Sequence, residues 1–102
     1  MKITEHVNGD DLVLSLEGDF DESTSPAVED RVEQALATDA LTICFDLSKV
    51  DYISSAGIRV LIIAHKKALK SAKSVKMGQM SERVREIIEI VGILPLFSVT
   101  GR

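Results

Sequence analysis

The chain has 102 residues, 45% of them hydrophobic and 27% charged, and a formal net charge of −4. That balance describes a single domain, residues 1–102, large enough to bury a core without metals or disulfides, and it excludes a disordered chain. Lys and Arg form no basic stripe with interleaved aromatics, which excludes direct nucleic-acid binding, and no apolar run approaches the ~18 residues that membrane insertion needs.

The first elements alternate. In "KITEHV", Ile3 and Val7 share one face, with Lys2, Thr4 and His6 on the other. In "LVLSLEG", Leu12, Leu14 and Leu16 share a face. Asn8-Gly9 lies between the runs and predicts a hairpin turn, so two strands are expected, ending near Gly18. The N-terminal stretch "MKITEHVNGD" has no apolar core of the kind a signal peptide carries. In "STSPAVEDRVEQALA", Ser25 is the expected cap of a helix, with Pro26 in its first position, where a missing N–H costs nothing. Val28, Val32, Ala35 and Leu36 then make one apolar stripe.

"LTICFDL" is short and continuously apolar, as expected of a central strand buried on both faces. It contains the one cysteine, Cys44, which reads as a small buried hydrophobe. With no internal disulfide possible, a reducing, cytoplasmic setting is expected. "SSAGIRVLIIAHKKALK" is ambiguous, because "IRVLII" suits a strand by propensity. Serine caps ahead of the run and the spacing of Ile58, Leu61, Ile62, His65 and Leu69 favour a helix. "SVKMGQM" reads as a strand. "SERVREIIEIVG" reads as a helix capped by Ser81, striped by Val84, Ile87, Ile88 and Val91, and ended by Gly92. "LFSV" after Pro95 reads as a last strand. The order ββαβαβαβ predicts an α/β fold: a mixed sheet of about five strands, with three or more helices mainly on one face.

Catalytic chemistry finds little support. A nucleophilic serine needs a base, and the histidines are His6 on a strand and His65 well inside a helix. No G-x-S-x-G elbow, phosphate-binding glycine loop or Cys/His metal spacing is present. The acidic turn "GDFDE" reads as solvated. No enzyme, cofactor or metal is therefore expected. Ser54 and Ser55 stand at a helix start, where one of them would cap the first turn. Such a start also favours a phosphate, through its free N–H groups and the positive end of the helix dipole. The small residues Ala56 and Gly57 would leave the backbone there open to a bulky partner.

Four motifs in order give the chain a resemblance. They are "GDFDESTSP" with Gly18, Phe20, Asp21, Thr24 and Pro26; "DLSKVDYI" with Asp46, Leu47 and Ser48; "SSAGI"; and "IVGILPLF". Each is weak alone, but together the chain resembles a STAS domain of the stand-alone bacterial anti-sigma factor antagonists. The resemblance implies a partner-switching protein of transcription regulation. The unmodified form binds an anti-sigma factor that is also a serine kinase, which frees the sigma factor. Phosphorylation on the central serine breaks the complex, and a metal-dependent serine phosphatase restores it. Counting back from Gly57 places the phosphorylated serine at Ser55, with Ser54 second; Ser54 stands where many members have aspartate. The partner-binding residues implied are Asp21, Thr24, Ser54, Ser55, Ala56, Gly57, Ile58 and Arg59. Asp19 and Asp21 would repel a phosphate brought into such an interface, and Arg59 could contact either the phosphate or an acid of the partner. Asp21 reads equally as the cap of the next helix. The alternative is an unmodified STAS subunit of a transporter, of the lipid-transport ATPase type, or of a signalling complex. A monomer or a weak homodimer through an exposed sheet edge is expected.

Overall fold

A computed structural model describes residues 1–99. It contains β1 (Lys2–Asn8), β2 (Asp11–Phe20), α1 (Ser25–Leu36), β3 (Thr42–Ile53), α2 (Ser55–Lys70), β4 (Ser74–Met80), α3 (Glu82–Val91), a 3-10 turn (Leu94–Leu96) and a two-residue strand β5 (Ser98–Val99). The sheet order is β1-β2-β3-β4-β5. β1 runs antiparallel to β2, and the other neighbours are parallel. The last strand is shorter than "LFSV" suggests: Leu94–Leu96 form a 3-10 turn around Pro95, and Phe97 only closes it.

The hairpin turns on Gly9-Asp10, one residue later than the Asn8-Gly9 signal, because Asn8 pairs with Asp11. Gly9 has φ +63, which only glycine adopts at no cost. β2 then continues past Gly18 to Phe20.

Leu12, Leu14 and Leu16 of β2, Ile43 and Phe45 of β3, and Val75 and Met77 of β4 are buried in register under the helices. Val28 and Val32 of α1, Val60 and Leu61 of α2, and Val84 and Ile88 of α3 complete this one cluster. The other sheet face carries no helix. β3 is therefore covered on one side only, not on both. Cys44 points to the uncovered face, outside the cluster, yet is 7% exposed. It lies in register with Lys76, which pairs with Asp11 at 3.1 Å. Burial pushes the Cys44 thiol above its ordinary pKa.

Two helix stripes differ from the expected ones. In α2 the buried positions are Gly57, Val60, Leu61, Ala64 and Ala68; Ile58 and Ile62 are half-buried and Leu69 is exposed. Small residues face the sheet here, so the helix sits close and the larger side chains flank it. In α3, Val91 is exposed, because the helix ends at Gly92 in the left-handed conformation (φ +82) and the chain turns away.

The end of β3 is irregular, and this shapes the site. Leu47, Val50 and Ile53 are all buried although they lie three apart, which strict alternation forbids. Register shifts fall between the Ser15 and Glu17 pairings and between Gly18 and Asp19. Each shift gives β3 an extra residue, as in a β-bulge, and resets which side chain faces the core. Phe20 consequently pairs with Ile53 under the helices, and α2 starts beside the end of β2.

Candidate functional site

Two helices begin together at this end of the sheet. Ser54 caps α2: its backbone is extended, and its Oγ accepts a hydrogen bond from the Gly57 N–H at 3.4 Å. The Ser54 N–H donates to the Phe20 carbonyl at 2.9 Å, tying the helix start to β2. Ser55 is the first helical residue. It is exposed, and its hydroxyl has no hydrogen-bond partner among the described residues. The two serines are thus assigned different tasks by geometry.

Gly57 is buried, not open to a partner as its size suggests. A Cβ there would lie 2.7 Å from the Phe20 carbonyl oxygen, 2.8 Å from Ile53 Cγ1 and 3.0 Å from Phe20 Cγ. Glycine is needed because α2 crosses directly against the paired ends of β2 and β3. Ala56 and Ile58 are half-buried, and Arg59 is exposed.

The α1 start is knotted around Asp21. Asp21 Oδ1 accepts from the Ser23 N–H at 2.9 Å, the Ser23 hydroxyl at 2.7 Å and the Thr24 N–H at 3.3 Å. Thr24 Oγ1 donates to the Asp19 carbonyl and accepts from the Asp21 N–H, both at 2.9 Å. Thr24, not Ser25, is the N-cap residue, although its side chain makes no capping bond. Ser25 lies inside the first turn, buried, and its hydroxyl donates to the Asp21 carbonyl at 2.6 Å. The Ser23 hydroxyl, and with it the backbone N–H groups, hold the Asp21 carboxyl below its ordinary pKa.

Two of the sequence-predicted residues, Asp21 and Ser54, meet at the common helix end. Asp21, Glu22, Ser23 and Ser54 line one shallow depression at the common helix end. Ser23 and Tyr52 were not singled out by sequence reasoning. Tyr52 is 45% exposed and pairs with Asp19 at the second bulge. The available signal was the three-residue spacing of Leu47, Val50 and Ile53, which strand alternation hides.

Neither histidine reaches the serines. His65 stacks edge-on against Phe97, ring centroids 5.5 Å apart, and sits ten residues below Ser55, about 15 Å along the helix. His6 lies on β1, paired with Val13. Among the described residues, no group of three or more His, Cys, Asp or Glu side chains could hold a metal ion. Among the described residues, no helix is long and apolar enough to cross a membrane.

These features define a class: a small α/β domain that displays a hydroxyl at a helix start. A family model described as STAS domain matches residues 2–101, and the chain belongs to that family. It is 28% identical over 101 residues to BtrV of Bordetella bronchiseptica, provisionally named an anti-sigma factor antagonist, covering 99% of this chain and 87% of BtrV. Among solved structures it is similar to an anti-sigma factor antagonist from Mycobacterium paratuberculosis, at TM-score 0.87 and 22% identity over 99% of this chain and 86% of that one. It is also similar to the antagonist SpoIIAA in its unphosphorylated form, at TM-score 0.81 and 16% identity over 96% of this chain and 87% of that one.

Proposed function

We propose that this protein is an anti-sigma factor antagonist whose binding is switched off by phosphorylation of Ser55. The observation that carries the reading is the Ser55 hydroxyl, exposed and without a hydrogen-bond partner among the described residues, at the first position of α2, while the hydroxyls of Ser23, Thr24, Ser25 and Ser54 are in use. In its unmodified form the protein binds an anti-sigma factor with serine-kinase activity and so releases a sigma factor. The kinase transfers the γ-phosphoryl group of ATP to Ser55 Oγ, ADP leaves, and a metal-dependent phosphatase hydrolyses the ester. The chain is a single STAS unit, substrate and ligand in this cycle and not its enzyme, acting in the cytoplasm.

The physics of the switch is electrostatic. Phosphorylation adds close to two negative charges. The end of the sheet already carries Asp19, Asp21, Glu22 and Asp51, and Asp21 stays ionised. The α2 N-terminus tolerates the phosphate in the free protein, so the fold persists. An interface that covers it must desolvate an unpaired charge, at roughly 2–5 kcal/mol. That is about one and a half to three and a half decades of affinity. Asp21, Thr24, Ser54, Ala56, Ile58 and Arg59 surround Ser55 in the partner-facing surface, and Gly57 acts beneath it by letting α2 sit close.

The test uses the purified protein, ATP and candidate anti-sigma factor serine kinases. A mass gain of one phosphate is expected in the natural chain and in Ser54→Ala, and its loss in Ser55→Ala. Ser55→Asp should lower partner affinity by the decades given above while leaving the circular-dichroism spectrum intact. Retained affinity in Ser55→Asp would refute the electrostatic switch. Absence of modification by any candidate kinase would favour the unmodified transporter-subunit alternative.

A further inference from the structure

β1 leaves one edge of the sheet open. Of its seven residues, Ile3 is half-buried and the rest are exposed. Val7, at 70% exposure, is the second most exposed large hydrophobic among the described residues. Ile3, Glu5 and Val7 pair with Leu16, Leu14 and Leu12, so all three lie on the helix-covered face. The hairpin closes on Asn8 and Asp11 across a two-residue connection. Such a connection closes on a hydrogen-bonded pair, and bonded pairs alternate along an antiparallel ladder. Thr4, His6 and Asn8 therefore use their N–H and C=O groups on β2. Ile3, Glu5 and Val7 aim theirs out of the sheet.

Charged side chains usually blunt such an edge. Here the charge in the middle is cancelled. Arg31 of α1 reaches Glu5, with both Nε and Nη2 at 2.9 Å from Oε1. Lys2 stands at the far end of the strand.

We propose that β1 pairs antiparallel with β1 of a second copy of this chain, about a two-fold axis at Glu5 perpendicular to the sheet. A closed dimer of this kind presents the same patch from both copies. In this register Ile3 meets Val7 of the second copy and Val7 meets its Ile3, so exposed Val7 gains an apolar neighbour on the same face. Glu5 meets Glu5, with an Arg31 guanidinium beside each, so the two-fold axis carries two acids and two bases. Thr4 meets His6 on the opposite face, and Lys2 meets Asn8. All the outward-aimed backbone groups are used. A register centred on Thr4 instead sets Ile3 against Glu5. The dimer forms on an edge remote from α2, so both Ser55 hydroxyls stay exposed and the inference stands apart from the proposed function.

The experiment is sedimentation equilibrium on the full chain, with amide exchange by NMR at low concentration and at about 1 mM, the weak end of specific association. A reversible dimer is expected. Exchange at Ile3, Glu5 and Val7 should slow as it forms, while Thr4 and His6 change little because β2 already protects them. Val7→Lys and Arg31→Gln should each raise the dimer Kd by about tenfold or more. A chain that stays monomeric at the high concentration overturns the proposal. So does a dimer whose protection appears elsewhere, or whose Kd in both variants equals that of the natural chain. The exchange pattern of the natural chain decides the matter even if a variant misfolds.

Discussion

α1 and α2 start within reach of each other and use their hydroxyls in opposite ways. At the α1 start every hydroxyl is engaged. Ser23 bonds the Asp21 carboxylate, Thr24 bonds the Asp19 carbonyl and Ser25 bonds the Asp21 carbonyl. At the α2 start one hydroxyl, Ser54, does the capping, and its exposed neighbour Ser55 has no hydrogen-bond partner among the described residues. The difference teaches that a serine-rich helix start is not by itself a site of modification. The hydroxyl available for chemistry is the one that folding has left over.

The comparison breaks first at Gly57. Gly57→Ala drives a methyl into the Phe20 carbonyl and the Ile53 side chain, and forced contacts of this kind cost about 1–3 kcal/mol. A loss near the upper end is expected, because the nearest atom is backbone and cannot swing aside. Urea denaturation of the variant measures it, and α2 should separate from β2 before the rest of the core yields. The two serines come next. Ser54→Ala removes the cap and should cost about 1 kcal/mol. Ser55→Ala should fall within about 0.5 kcal/mol of the natural chain, as exposed substitutions do. Equal losses in thermal melts would erase the division of labour between them.

The smallest effect belongs to Asp21 and sharpens the comparison through pH. Its folded pKa lies below the ordinary 3.8, chiefly because the Ser23 hydroxyl bonds the carboxylate. A group with a lowered folded pKa contributes stability above its unfolded pKa and loses that contribution as pH falls through the folded value. The contribution is therefore complete near neutrality and fades below about pH 4. Asp21→Asn should therefore lower the neutral melting temperature slightly and converge with the natural chain in acid, which flattens that limb. An acid limb identical in both proteins would mean that the Asp21 knot does not hold the α1 start.

The fold was legible wherever one residue periodicity dominates. β4 and α3 fall on the stretches their patterns mark, and Ser81 caps α3 by accepting from Val84 N–H at 3.3 Å. α2 was legible as a helix but not as a packed face, since its burial is set by Gly57, Ala64 and Ala68 and not by its largest side chains. The second half of β3 was hidden for another reason. Its bulges replace the two-residue alternation, by which a strand is recognised, with a three-residue spacing. Tyr52 went unnoticed as a result. At the site, the family resemblance, counted back from Gly57, pointed to Ser55, and the Ser55 hydroxyl has no hydrogen-bond partner among the described residues. Gly57 was misread because a lone glycine does not reveal whether its missing side chain leaves room for solvent or for the chain itself.

That ambiguity has a consequence for tracing descent. Gly57 sits inside the signature by which a switch of this kind is recognised, yet its tight fit against Phe20 and Ile53 is demanded by folding alone. A descendant with no partner left to bind would still be held to glycine there, under selection for nothing but a stable sheet. Ser55 is under no such obligation, and drift would erase it first. Of the letters in "SSAGI", the glycine answers to the fold, and the second serine answers only to the switch proposed above.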